Sequence, residues 1–279
     1  MHCAGCERTC GGNVKHDGNP PVKLRLDKLL VDRGLAGSRE RAQALILAGN
    51  VLVDEQKRDK AGAQVAADAS IRLLGEDLKY VSRGGLKLER ALENWKIPVE
   101  GKVCFDIGAS TGGFTDCLLQ HGAAQVIAID TGYGQMDFKI RQDPRVRLLE
   151  KTNARYLTRE ILTREILTQE IMDETADLVV MDVSFISATL VLPAVVAAAF
   201  PDPGKREGRQ IVVLVKPQFE AGREYVGKGG IVRDETAQFT AVDRVRQCLV
   251  SLGCSSNDVI ESPILGAEGN REFLLRGTF

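Results

Sequence analysis

Hydrophobic runs and helical spacings alternate from Lys102 to the C-terminus. "KVCFDIG", "QVIAIDTG", "VRLLE", "ADLVVMDVSF" and "QIVVLVKPQF" are short, rich in Val and Ile, and lack polar alternation. Runs of that kind are buried on both faces, which predicts a parallel sheet covered by helices on either side. "DVIESPI" and "REFLLRGTF" follow with little between them and predict an antiparallel pair joined through "GAEGN". Nearer the start the spacing is different. Leu26, Leu29 and Leu30 follow a helix that Gly34 would stop, and Ser38 is a suitable N-cap for a second helix with Ala42, Leu45 and Ile46 on its apolar face. Gly49-Asn50 ends that helix, and Val51 and Val53 point one way along a short strand. "LTREILTREILTQEI" repeats every five residues. Each repeat turns a helix by about 140°, so its Leu and Ile residues scatter around all faces and form no single stripe.

The chain has 279 residues and a net charge of −1, with 44% hydrophobic and 27% charged residues. That is enough for an ordinary core in about two domains, and the balance of charge points to no polyanion by itself. No apolar run reaches the ~20 residues of a membrane helix, and no secretory signal opens the chain. Cys3, Cys6 and Cys10, with His2 and His16, crowd a start that has too few apolar residues to fold around a metal. Residues 1–22 are expected to be a disordered tail, and no metal site is expected. Cys104, Cys117, Cys248 and Cys254 fall on predicted strands and helices, as small buried thiols of a reducing, cytoplasmic compartment.

Charge is uneven, however. Between Lys23 and Lys60 nine basic residues face six acidic ones, a local excess of +3. Arg39 and Arg41 sit in the first turn of the second helix, where the helix dipole disfavours cations. An external phosphate would supply the missing charge, which makes Arg25, Lys28, Arg39 and Arg41 candidate RNA contacts. "RLDKLL…GLAGSRERAQALILAGNVLVD", closing with "ADASIRLL", resembles an S4 domain over residues 24–74. The resemblance implies recognition of structured RNA through shape and phosphates.

The turn in "VCFDIGASTGGFTDCLL" lies between a strand and a helix, where doubly wound folds hold ligands. It has no G-K-[ST], which excludes a P-loop. Ser110 replaces the glycine that a dinucleotide fingerprint needs beside pyrophosphate, and Asp106 would repel a polyphosphate. A ligand with a cationic end and no phosphate suits an acidic strand, and S-adenosylmethionine is such a ligand. Gly108, Gly112 and Gly113, with Ser110, would let the backbone approach its methionine part. Asp130, at the end of the next strand, would take the ribose hydroxyls, and Asn153 in "KTNARYL" would contact adenine. Helix capping or turn formation is the simpler use of Asp106 and Asp130.

The acceptor can be narrowed. The fourth strand ends in "MDVSFIS", with neither the proline-rich stretch of base-amino methylation nor the cysteine of pyrimidine carbon-5 methylation. An oxygen nucleophile remains, and a ribose 2′-hydroxyl needs a general base. Lysine can be that base if burial or a nearby cation lowers its pKa. Lys216 ends the fifth strand, Lys87 lies on a helix entered from Gly-Gly, Asp182 follows the fourth strand and Glu272 starts the last. The loop "GREYVGKGGIVRD" follows Lys216, and its Arg223, Lys228 and Arg233 predict a mobile segment closing over RNA.

"SRGGLKL", "DIGASTGGFTDCLL", "AIDTGYGQ", "MDVSFIS", "LVKPQFEAGRE", "VGKGGIVRD" and "PILGAEGNREFLL" together resemble the TlyA-type family, an S4 domain fused to an FtsJ-like 2′-O-methyltransferase, sometimes called hemolysin. The resemblance implies a Rossmann-like methyltransferase fold with a seven-stranded, mostly parallel sheet. It implies an S4-like domain at 23–75, a linker at 76–86 and the methyltransferase at 87–279. Its Lys-Asp-Lys-Glu tetrad falls on Lys87, Asp182, Lys216 and Glu272. It further implies S-adenosyl-L-methionine as cofactor and ribosomal RNA or ribosomal subunits as partner, with cytidine ribose of 23S and in some members 16S rRNA as target. Two rival readings are a non-catalytic rRNA-binding assembly factor and a pore-forming hemolysin.

Overall fold

The structure is a computed structural model that describes residues 23–73, 79–165, 176–266 and 269–279. The N-terminal tail with its cysteines, the end of the five-residue repeat and the first residues of the expected linker lie outside the described residues. The chain divides into two compact units, residues 1–76 and 77–279.

The first unit runs β1 (Lys23–Arg25), α1 (Leu26–Asp32), α2 (Arg39–Leu47), β2 (Val51–Val53), β3 (Gln56–Lys57), β4 (Gln64–Ala66) and β5 (Ile71–Leu73). Ser38 caps α2 as expected, its Oγ accepting the Arg41 N–H at 3.2 Å. β2 lies between β3 and β5, and β1 pairs with β4, all antiparallel. Leu26, Leu29, Leu30, Ala42, Ile46, Val51 and Val53 form the core. Leu52 is buried as well, so β2 is covered on both faces.

The second unit runs α3 (Gly84–Trp95), β6 (Val103–Ile107), α4 (Gly113–Gln120), β7 (Gln125–Ile129), α5 (Phe138–Arg141), β8 (Val146–Leu149) and α6 (Arg159–Glu165). It continues with β9 (Leu178–Met181), α7 (Ala188–Ala199), β10 (Gln210–Val215), α8 (Pro217–Glu220), α9 (Glu235–Ser251), β11 (Ser256–Glu261) and β12 (Phe273–Thr278). Its sheet has the order β11-β12-β10-β9-β6-β7-β8, with β12 antiparallel to both neighbours. The two last strands do pair, and β12 inserts beside β10.

Both faces of this sheet are covered, which explains the unbroken apolar strands. Phe105 and Ile107, Val179 and Met181, and Ile211, Val213 and Val215 face the layer built from α7 and α9. Their alternates Cys104, Leu178, Val180, Val212 and Leu214 face α3 and α4. Tyr80, inside the stretch expected to be linker, is buried in this second layer, and the Val81 N–H donates to Asp116 at 2.8 Å. Cys104, Cys117 and Cys254 are free and buried, while Cys248 is half-buried. Burial pushes the Cys104 and Cys117 thiols up to about 12, which disfavours the thiolate at both. β6 has parallel neighbours on both sides, β7 and β9, so the strand order reverses there. A crevice forms at the carboxyl edge of such a point.

Candidate active site

The turn after β6 is drawn across that edge. The Gly108 N–H donates to the Ile129 carbonyl at 2.8 Å, which ties the turn to the end of β7. Gly108 has φ +84°, and a Cβ there would stand 2.4 Å from the Asp182 carbonyl oxygen. Only glycine allows this backbone-to-backbone approach. Ser110 takes φ +47°, and its N–H donates to Asp130 Oδ2 at 2.7 Å. The Gly132 N–H donates to the other oxygen of Asp130 at 2.6 Å. Asp130 therefore does form the turn, and it joins the loops after β6 and β7.

A cavity of about 270 Å³ opens between these loops and the end of β9. Its wall includes Gly108, Ser110, Asp130, Asn153, Asp182 and Phe185. Four of the seven expected cofactor residues are thus on the wall. Gly112 and Gly113 instead start α4, and Asp106 lies behind the wall, 0% exposed. Thr115 Oγ1 donates to Asp106 Oδ2 at 2.6 Å, whereas Oδ1 is buried and has no hydrogen-bond partner. Burial, reinforced by the charges of Asp182 and Asp130, pushes the Asp106 carboxyl up to about 7, and the Thr115 hydrogen bond opposes this. Among the described residues two carboxylates, Asp130 and the Lys216-paired Asp182, and no Lys or Arg line the cavity. With the orphaned oxygen of Asp106 behind it, that lining repels polyphosphate and fits a ligand carrying positive charge.

The four residues of the expected tetrad form two close pairs. Lys216 Nζ lies 2.5 Å from Asp182 Oδ1 and donates to Ser184 Oγ at 2.7 Å. Lys87, on α3, donates to Glu272 Oε2 at 2.5 Å, and Glu272 is 2% exposed. Strand register puts the pairs side by side. Val213 stands beside Met181 and Val215 opposite Phe273, so Asp182, Lys216 and Glu272 leave three adjacent strands at one edge. Asp182 belongs to the cavity wall as well, which joins this cluster to the turn after β6.

The expected RNA contacts divide by environment. Asp27 is fully buried and accepts from Arg25 at 3.0 and 2.9 Å, from Arg39 at 3.0 Å and from Gln43 at 3.1 Å. Arg39 shares the single Asp27 carboxylate with Arg25, so part of the compensating charge for this helix end lies inside the fold and one positive charge remains in excess. Lys28 and Arg41 have no acidic partner among the described residues. Arg223, Lys228 and Arg233 are all exposed. Their loop is pinned at its far end, unlike a freely mobile segment. Val232 is buried, its N–H donates to Asn270 Oδ1 at 3.0 Å, and Asn270 Nδ2 donates to the Gly230 carbonyl at 2.9 Å.

Several residues at the site were not singled out from sequence. Thr131, Gln135 and Thr152 line the cavity. Phe185 is 92% exposed at φ +65°, with its ring 5.5 Å from that of Phe219. A Cβ on Gly266 would stand 2.1 Å from Glu272 Oε1, so the missing side chain makes room for that carboxylate. Ser184 and Phe185 lie within "MDVSFIS", so their nearness to Asp182 was the available signal; Gly266 gave none.

The FtsJ-like methyltransferase family matches residues 80–279, and the S4 domain matches residues 24–71. A Mycobacterium tuberculosis protein named 16S/23S rRNA (cytidine-2′-O)-methyltransferase TlyA is 44% identical over 91% of this chain and 89% of its own length. Hemolysin A of Brachyspira hyodysenteriae is 40% identical over 90% of this chain and 98% of its own. A solved structure of a candidate hemolysin from Streptococcus thermophilus has a TM-score of 0.67 and 42% identity, covering 92% of this chain and 88% of that one. With an S4 domain ahead of a doubly wound methyltransferase unit, this chain belongs to the TlyA-type family of FtsJ-like methyltransferases.

Proposed function

We propose that this protein transfers a methyl group from S-adenosylmethionine to a ribose 2′-hydroxyl of ribosomal RNA, with Lys216 as general base. The observation that carries the proposal is the pair of Lys–carboxylate contacts, Lys216–Asp182 and Lys87–Glu272, beside a cavity walled by carboxylates. S-adenosylmethionine supplies a methyl group on a positively charged sulfur. Asp130 would face its ribose, Asn153 its base, and Gly108 and Ser110 would offer close backbone approach. Asp106 would act from behind the wall as a negative charge.

Lys216 would take the 2′-hydroxyl proton at Nζ. Asp182 and Ser184 fix the direction of that amine. Lys87, held by Glu272, places positive charge where the oxygen becomes anionic. Positioning of this kind is worth up to about 7–11 kcal/mol in favourable cases. Phe185 supports a nucleotide substrate as an exposed ring beside Ser184, since unstacked bases rest on aromatic side chains. The S4 domain, with Lys28 and Arg41, and the loop bearing Arg223, Lys228 and Arg233 would hold the phosphates. Cytidine as the target nucleoside, and a site in 16S or 23S rRNA, follow the names of relatives. Among the described residues no helix is long and apolar enough to cross a membrane.

The test is transfer of labelled methyl from S-adenosylmethionine to unmodified small and large ribosomal subunits, with mapping of ribose methylation. One labelled 2′-position is expected, lost in Lys216→Ala while donor binding stays within a few-fold. A Lys216→Ala enzyme that still methylates would exclude the lysine base.

A further inference from the structure

Glu220 is an acid buried deep in the second unit, 3% exposed; among the described residues no Lys or Arg forms a salt bridge with its carboxylate, and the nearby Arg244 guanidinium donates to the Glu220 backbone carbonyl instead. A buried carboxylate without an ion pair is costly unless hydrogen bonds replace its water. Two do so. Glu220 Oε1 accepts the Ala188 N–H at 2.6 Å and Oε2 accepts from Ser187 Oγ at 2.6 Å. Ala188 is the first residue of α7, where the helix dipole favours an anion.

Residues 182–188 connect the end of β9 to α7 and carry Asp182, Ser184 and Phe185. Residues 216–220 run from the end of β10 through α8. The two segments touch three times, in the same order. Lys216 meets Asp182 and Ser184, the Phe219 ring meets that of Phe185, and Glu220 meets Ser187 and Ala188. The near end of the 182–188 stretch is fixed by the sheet, since the Asp182 N–H donates to the Ile107 carbonyl at 2.9 Å. Its far end is fixed by Glu220. Phe185, at φ +65°, keeps a strained conformation that persists only where its surroundings hold it.

We infer that Glu220 is a positioning residue for methyl transfer, clamping the Asp182–Ser184–Phe185 stretch onto the segment that carries Lys216. The inference rests on Lys216 being the base. α7 has its own cap, because Ser187 Oγ accepts the Thr189 N–H at 3.2 Å, so removing Glu220 gives up the Ala188 N–H contact and keeps that cap. The loss then falls on the alignment of Ser184 and Phe185 with Lys216.

Glu220→Ala, Glu220→Gln and Lys216→Ala, in the full chain, test this through methyl transfer to ribosomal subunits, S-adenosylmethionine titration and melting temperature. Displacement of a reacting group by about 1 Å costs about 100-fold, so Glu220→Ala should lower kcat by about 10–100-fold and change donor affinity by less than about 3-fold. Glu220→Gln keeps an acceptor for Ala188 and an amide to meet Ser187 Oγ, and should restore most of the rate. Wild-type kcat in Glu220→Ala would overturn the inference, as would a loss of donor affinity in step with kcat. If Glu220→Ala does not fold, Glu220→Asp draws the carboxylate back by one methylene and leaves the Ser187 cap of α7 intact. A several-fold loss of kcat is expected there, and an unchanged rate overturns the inference. Lys216→Ala separates the failures. If it is inactive while Glu220→Ala turns over normally, the clamp is wrong and the base stands. If Lys216→Ala is active, the base falls and the clamp with it.

Discussion

Asp106→Asn should make the unliganded protein more stable as pH rises and bind its donor less well. The Asp106 carboxyl is fully buried, with one oxygen held by Thr115 and the other unpartnered. Its pKa is raised from 3.8 to about 7, first by burial and then by the charge of Asp182. A raised folded-state pKa means that the folded protein keeps a proton the unfolded chain has already lost. The stability this contributes is complete below about pH 4 and is lost as pH climbs through about 7. At 1.36 kcal/mol per pH unit the ceiling is about 4 kcal/mol. Asparagine is neutral throughout, its oxygen can accept from Thr115, and it carries no such dependence. A quarter of the ceiling, about 1 kcal/mol, moves the melting temperature of a unit of this size by about 2–4 °C. Melts of both proteins at pH 5, 6, 7 and 8 should therefore diverge up to about pH 7 and then level off, with the variant gaining. A cation in the cavity favours the charged carboxylate, so S-adenosylmethionine affinity should rise with pH through 7 in the wild type and stay flat and weaker in the variant. Parallel melting curves at every pH would show that Asp106 does not titrate in this range, and the reasoning would fail.

Two further substitutions probe single contacts. Gly266→Ala introduces a Cβ 2.1 Å from Glu272 Oε1. The buried Glu272 carboxylate must move away from Lys87, so the fold should lose about 1–3 kcal/mol. Methyl transfer should fall by about 10-fold or more with donor affinity intact, and wild-type turnover would contradict the role of that pair. Asp27→Ala strands Arg25, Arg39 and Gln43 in the first unit and should cost about 1–3 kcal/mol. Hydrogen exchange should quicken in residues 24–71 and not in the sheet of the second unit; unchanged exchange in 24–71 would refute it. Arg25, opposed by burial and aided by Arg39 and Gln43, holds the Asp27 carboxyl well below its usual range. That contribution is present at neutral pH and is lost as pH falls below about 4 toward the lowered folded value, so acid should loosen these same residues.

Most of the fold was legible because burial on both faces leaves a mark in the chain. β6, β7, β9 and β10 were readable as unbroken apolar runs, and α2 from its cap at Ser38 and its stop at Gly49. Strand ends were legible too, which is how Lys216 and Asp182 came to attention. The depth of Asp106 was within reach of the same logic. Alternation puts it on the face of Cys104, toward α3 and α4, whereas the sequence reading placed it against the ligand. Contacts across layers leave no such mark. Asp27 meets Arg39 12 residues on, Glu220 meets Ala188 32 residues back, and Lys87 meets Glu272 across 185. Periodicity reports which layer a side chain enters and is silent about its partner there. Arg39 was thus assigned to an external phosphate while a buried acid waited one helix away. The Lys87–Glu272 pair was joined by family resemblance alone. For an acid or base at a helix end, the first question is accordingly which buried group of opposite charge the neighbouring helix supplies, and a residue left without one, as Lys28 and Arg41 are among the described residues, keeps its whole claim on RNA.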